Sequence, residues 1–258
     1  MDPVHIDGTE MFARYAYAPN ALGYCGPPDS AGLRDGSSAA VRATAPLFSG
    51  AWPYLCVMSA LTGIADPLDA RLVESYWLGG GIGAALDPAE FGAALLARIG
   101  PVAGQYWAHL SARLAVEAAP NHSFHVLGVY PWSRLLDAAG AGPALRILDD
   151  CRITWARVID RSDSQVLVRS RRLSWNGSSL GLSRPEDRTL PVWHDGYAAV
   201  PDVEVGDILA VHWDHLCGRL SPAQAAALAT TTVRQIRVTN DRLAFDRSAA
   251  TVGSRSDG

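Results

Sequence analysis

Cysteine and histidine carry most of the chemistry that this 258-residue chain can offer, and they fall into three groups. Thiolate and imidazole are the donors that hold soft or borderline first-row metals. In the first group, Cys151 heads the alternating stretch Cys151-Arg152-Ile153-Thr154-Trp155, and His212 closes Ile208-Leu209-Ala210-Val211-His212. In the second, Tyr24-Cys25-Gly26-Pro27-Pro28 is a rigid turn displaying a thiol, and Asn121-His122-Ser123-Phe124-His125 offers two imidazoles at i, i+3. On a helix those imidazoles share a face. Cys25, His122 and His125 would then suit Fe, Ni or Zn, although one histidine buried in the core and the other exposed is an equally good reading. The third group is His212-Trp213-Asp214-His215-Leu216-Cys217. On a strand His212 and His215 face opposite sides, so a metal shared by the two requires the chain to turn at Asp214. Cys217 reads as a lead into the following helix, and His215 stays open.

Other chemistries lack their residues. Gly79-Gly80-Gly81-Ile82-Gly83 follows no strand and precedes no Lys-Ser/Thr pair, so it is not a phosphate loop. Neither a G-x-S-x-G elbow nor an H-E-x-x-H helix is present. All 22 basic residues are Arg, with 8 against 14 acidic residues in 1–150 and 14 against 12 in 151–258. That spread is too weakly basic to predict nucleic-acid binding. No apolar run approaches the ~20 residues of a membrane span, and the N-terminus lacks a signal-peptide pattern. The four cysteines form no C-x-x-C pair and no disulfide framework, so a cytoplasmic protein with reduced thiols is expected.

The elements that must position these residues divide in two, giving an α+β fold. Residues 1–148 read as an all-α domain. Asp66-Pro67 and Asp87-Pro88 each start a helix with a capping carboxylate and a proline in the first turn. Further helices are expected over 102–119 and 132–139. From Cys151 the period changes to two: a strand over 153–158, a turn at Arg161-Ser162-Asp163-Ser164, a strand over 165–170, and a last strand over 208–212. Residues 171–197 read as an insertion with short strands around Trp175 and Trp193. Ser221-Pro222-Ala223-Gln224 opens a helix, and 248–258 is expected to be a disordered tail.

Residues 151–235 resemble the HypC/HupF family of NiFe-hydrogenase maturation chaperones. In that family a cysteine opens the first strand in a pattern like C-x-x-x-P-G-x-V, and a later G-D-x-x-x-V-H strand carries a histidine before a short helix. Cys151 falls on the cysteine, Gly206-Asp207 and Val211-His212 on the second motif, and Ser221 on the helix start. Trp155-Ala156 stands in place of Pro-Gly. Cys56 lies in the apolar run 52–58 and reads as buried, so Cys151 is expected to be the more reactive of the two. The resemblance implies a small OB-like β-barrel with a C-terminal helix, in a domain expected over 149–247, with Cys151 exposed at the barrel rim. It further implies a chaperone that contacts iron or its partner through Cys151 and His212. The cargo would be an iron fragment in transit bearing cyanide and carbon monoxide. The partners would be a scaffold protein of the HypD type or a hydrogenase large-subunit precursor. The alternative is a metal-dependent enzyme that uses Cys25, His122 and His125, with the barrel as a docking module.

Overall fold

A computed structural model describes residues 6–29, 31–34, 37–100, 112–137 and 141–256. The chain begins with α1 (Gly8–Ala21), whose N-cap Asp7 accepts from the Thr9 N–H at 3.2 Å. Met11, Phe12, Tyr15, Ala16 and Tyr17 of α1 are all buried, so the helix is apolar around most of its circumference. A helix of that kind belongs inside a core. Around it lie α2 (Ala31–Arg34), α3 (Ser38–Thr44), α4 (Ala51–Thr62), α5 (Ala70–Leu78) and α6 (Pro88–Ile99). In α6, Asp87 caps the Glu90 N–H at 2.8 Å and Pro88 takes the first position, as the sequence predicts.

The helix expected from Asp66 starts later, at Ala70, with Asp69 as its cap. Asp66 is engaged elsewhere, accepting from the Leu68 N–H and pairing with Arg42. Of the helix expected over 102–119, residues 101–111 lie outside the described set, and 112–116 form a 3₁₀ turn. Of the helix expected over 132–139, residues 138–139 lie outside the described set, and Pro131–Leu135 form a 3₁₀ turn.

Past the short α7 (His122–Phe124) comes α8 (Ala141–Cys151), which corrects the placement of Cys151. This cysteine ends a helix and is 6% exposed; it does not open a strand at an accessible rim. Ala144, Leu148 and Cys151 fall at i, i+4 and i+7, one buried stripe that packs against Leu173, Leu180 and Ile236. The strands β1 (Thr154–Arg161), β2 (Gln165–Ser170), β3 (Leu173–Trp175), β4 (Leu180–Leu182), β5 (Glu186–Pro191), β6 (Ile208–His212) and β7 (His215–Arg219) follow.

Five of these strands make one antiparallel sheet in the order β5-β2-β1-β6-β7, and β3 pairs with β4 separately. The fold is α+β as expected; among the described residues β5 and β7 do not pair, so the sheet is open and does not close into the expected OB-like barrel. The reason is that both faces are already covered. Paired Ala156 and Leu209 face an apolar cluster with Val192, Val200 and Val203, while paired Trp155 and Ala210 face the helical core.

The last helix, α9 (Pro222–Ser256), opens with a reciprocal capping box. The Gln224 N–H donates to Ser221 Oγ at 3.2 Å, and the Ser221 N–H donates to Gln224 Oε1 at 2.9 Å. It continues to Ser256, past the expected start of a disordered tail. Gly79, at φ +75°, lets α9 approach α5, because a Cβ there would stand 2.4 Å from Thr231 Cγ2. The 148/149 boundary does not divide the core. Ile153, Ala210, Cys217, Leu220 and Leu228 share one cluster with Phe12, Tyr54 and Leu72. Among the described residues no helix is long and apolar enough to cross a membrane.

Just after Cys151 the structure buries an ion pair. Arg152 Nε donates to Asp149 Oδ1 at 2.9 Å, with side chains 1% and 5% exposed. The same carboxylate accepts from the Leu173 N–H at 2.7 Å and pairs with Arg172. Asp149→Ala would leave a buried guanidinium uncompensated. It is expected to lower unfolding free energy by about 3–5 kcal/mol, read by urea denaturation; a loss below about 1 kcal/mol, the surface-pair range, would contradict the assignment.

Candidate metal centre

His122 and His125 lie on a segment whose winding changes between them. Asn121 caps α7 by accepting the Phe124 N–H at 3.1 Å, and residues His125–Val129 widen into a π-helical turn. Such turns are rare and concentrate at functional sites. Gly50 admits the His125 ring, because a Cβ there would come within 2.8 Å of Nε2. His212 is the last residue of β6, directly before a two-residue hairpin turn in which Trp213 and Asp214 both have positive φ (51° and 61°). That is the backbone of a type I′ turn, made here without glycine. The Trp213 N–H donates to Asp150 O at 2.9 Å, and Asp214 pairs with Arg188 at 2.5 Å, so tertiary bonds hold the turn.

These elements bring His122, Cys151 and His212 together, with one donor atom from each lying within 4.8 Å of the others. The rings of His122 and His212 meet edge to face with centroids 5.2 Å apart, and Trp77 packs on both. Hydrogen bonds fix the tautomers. A carbonyl can only accept, so His212 Nδ1–H donates to Tyr15 O at 2.8 Å and His122 Nε2–H donates to Cys151 O at 2.9 Å. The lone pair of His122 is then at Nδ1, where it accepts from the Tyr76 hydroxyl at 3.2 Å. His212 Nε2 is buried and has no hydrogen-bond partner among the described residues. A ring nitrogen oriented by a carbonyl bond on its other side is the arrangement that metal-ligating histidines adopt.

Beside the cluster lies a cavity of about 170 Å³ lined by all three residues and also by Cys25 and His125. Phe48, Tyr76, Trp77, Trp132 and Ile147 supply apolar wall, and Trp213 stacks on the half-exposed Tyr24 at a ring distance of 4.0 Å. Burial keeps the whole set uncharged at neutral pH. It lowers His122 to about 3, with help from His125, and His125 to about 4. His212 falls well below its usual value for the same reason. Burial also raises the thiols, Cys25 up to about 12 and Cys151 upward.

Two constellations that the sequence separates are therefore one place: Cys151 and His212 from the first group, Cys25, His122 and His125 from the second. His215 is elsewhere, stacked on His194 at 3.4 Å with its Nδ1–H bonded to Trp213 O. Cys217 is fully buried in the helical core. The aromatic wall and the Tyr76 hydroxyl escape sequence reading, because nothing local ties residue 76 to residue 122.

The chain belongs to a family of unknown function, DUF6390, whose profile matches residues 4–246. No curated protein and no solved structure matches it.

Two measurements check this chemistry. An unfolded histidine takes its proton near 6.5, whereas His125 and His122 resist to about 4 and about 3. Between those values the unfolded chain binds more protons. Stability is therefore full above pH 6.5 and falls as the pH drops toward 4, by up to about 1.4 kcal/mol per pH unit for each histidine. Urea unfolding at pH 7, 6 and 5 should show the decline, with a shallower slope in His125→Gln; a flat profile would contradict the buried neutral rings. The expected order of thiol reactivity also reverses. Cys56 is half-buried beside Arg98, while Cys151 is enclosed. Timed alkylation read by mass spectrometry should label Cys56 before Cys151, and the opposite order would mean that the cavity opens freely.

Proposed function

We propose that this chain is a metal-handling maturation factor that holds a first-row transition metal at His122, Cys151 and His212 and passes it on. The observation that carries the reading is the convergence of a thiol and two buried imidazoles, with donor atoms within 4.8 Å of one another beside an apolar cavity. Three protein donors leave a further coordination position open, and the cavity provides room for an additional ligand. On loading, Cys151 gives up its proton to bind as thiolate, His212 offers Nε2, and His122 offers Nδ1 as the Tyr76 hydroxyl turns away. Surroundings without a fixed charge favour a soft, weakly hydrated centre.

The resemblance to HypC/HupF supports iron as the cargo and a hydrogenase large-subunit precursor or a HypD-type scaffold as the receiving partner. Because Cys151 is enclosed, the iron would sit inside the chain, not between two exposed surfaces. The enzyme reading draws support from Cys25 and His125, which line the same cavity and could act on a small molecule beside the metal.

Anaerobic loading with Fe(II) followed by desalting and elemental analysis tests the proposal. Wild type should retain iron, and Cys151→Ala and His212→Ala should each weaken retention by more than ~100-fold, since each removes a ligand from a buried set. Capture from a hydrogenase-producing host should recover a maturation scaffold or large-subunit precursor. Iron retained equally by all variants would overturn the site. Retained iron with turnover of a small molecule and no captured hydrogenase component would favour the enzyme.

A further inference from the structure

We infer that Cys25 is the second thiolate of this centre, so that a bare divalent ion is held by Cys25, Cys151, His122 and His212 as a closed four-donor set. The inference rests on the metal reading above and adds a ligand and a charge rule to it.

The wall of the cavity offers donors without fixed charge. Among the described residues no Asp or Glu lines it. A divalent ion bound by Cys151 thiolate and two neutral imidazoles would therefore carry a net positive charge amid Phe48, Trp77, Trp132 and Ile147. Enclosing such a charge is strongly unfavourable unless an anion accompanies it. Thiolate is a far better ligand than phenolate for ions of this kind, which leaves Cys25 as the wall group suited to supply that anion. Four donors of this type also complete the tetrahedral coordination that such ions adopt in closed sites.

Cys25 is held in a built position. Asn20 Nδ2 donates to Cys25 O at 2.8 Å and to Pro27 O at 2.6 Å, and the Tyr24 and Cys25 N–H groups both donate to Pro19 O at 2.8 and 3.3 Å. Gly26, at φ +83°, presses on Phe48, where a Cβ would stand 2.5 Å from the ring. The cavity it joins contains two imidazole nitrogens that are buried and unpartnered among the described residues, His212 Nε2 and His125 Nδ1, on rings 1% and 5% exposed. Cys25 stands outside the tight triangle of the other three, so its bond to the ion is made on loading. In that step two S–H bonds are replaced by two metal–sulfur bonds, two protons leave to solvent, and no oxidation state changes. A monovalent soft ion is already neutral with one thiolate and needs only Cys151.

The test uses the full chain, reduced and anaerobic, titrated separately with cobalt(II) chloride and with Cu(I) held by a competing chelator. Sulfur-to-cobalt charge-transfer absorption counts thiolates, and visible ligand-field bands report tetrahedral geometry. Wild type should give tetrahedral cobalt with about twice the charge-transfer intensity of Cys25→Ser. Cys25→Ser and Cys25→Ala should weaken Co(II) binding by more than ~100-fold while leaving Cu(I) affinity within about threefold, with circular dichroism unchanged. Equal charge-transfer intensity in wild type and Cys25→Ser would overturn the assignment of Cys25 alone, as would parallel loss of Co(II) and Cu(I). A wild-type chain that binds neither ion would overturn the metal reading together with this inference.

Discussion

One guanidinium organises the junction on which this molecule turns. Arg152 is almost wholly enclosed, and a charge in that position must be paired or the fold is lost. Asp149 pairs with it and also receives Arg172 and the Leu173 N–H, while Arg152 reaches the carbonyl of Arg171. The C-terminus of α8, the start of β1 and the β3 hairpin are thereby tied to one carboxylate. Asp150 adds the β6–β7 turn through the Trp213 N–H. Cys151 lies inside this knot, so its position is set by ionic contacts on both sides along the chain. A site supported in this way sits on rigid elements, not on a mobile loop.

The contrast across a single residue is chemically useful. On one side, Asp149, Arg152 and Arg172 form a charged cluster whose carboxylate is fully engaged. On the other, Cys25, Cys151 and three histidines share a cavity with apolar walls. The acidic groups nearest the cysteine are thus committed to arginines, which leaves the cavity to sulfur and nitrogen donors. Under the proposed metal reading, selectivity would come from donor softness and from the charge of the loaded centre, and hard oxygen-seeking cations would find little to bind.

What the sequence made legible was local. The Asp87-Pro88 cap, the period-two run 165–170, strand 208–212 and the Ser221–Gln224 box are all complete within a few neighbouring residues, and the structure keeps them. Cys151 reads as a strand start because the polar pair Asp149-Asp150 interrupts the sequence between Leu148 and the period-two run. Only tertiary pairing with Arg152 and Arg172 makes that interruption tolerable in a buried helix. The β6–β7 hairpin was hidden for a related reason: Trp213 and Asp214 carry none of the Asn-Gly or Asp-Gly chemistry that announces a tight turn. An open sheet in place of a barrel follows from helices that cover its second face, which period alone cannot reveal. For the site, all five cavity donors were nameable by type. That they meet in one place depends on contacts such as Tyr76 with His122 and Tyr15 with His212, for which a linear pattern has no signal.

The bond from His212 to the carbonyl of Tyr15 joins positions 197 residues apart in the chain. Synthesis delivers α1 well before β6, so a nascent chain still short of residue 212 already has the Tyr15 carbonyl but lacks the third donor that it orients. Fragments and stalled chains carry the same kinds of side chain, but scattered, without the high effective concentration that a preassembled set confers. Under the proposed metal reading, a loaded centre would thus mark a chain as folded from α1 through residue 212, and any reader of that centre would in the same act be distinguishing such chains from shorter ones.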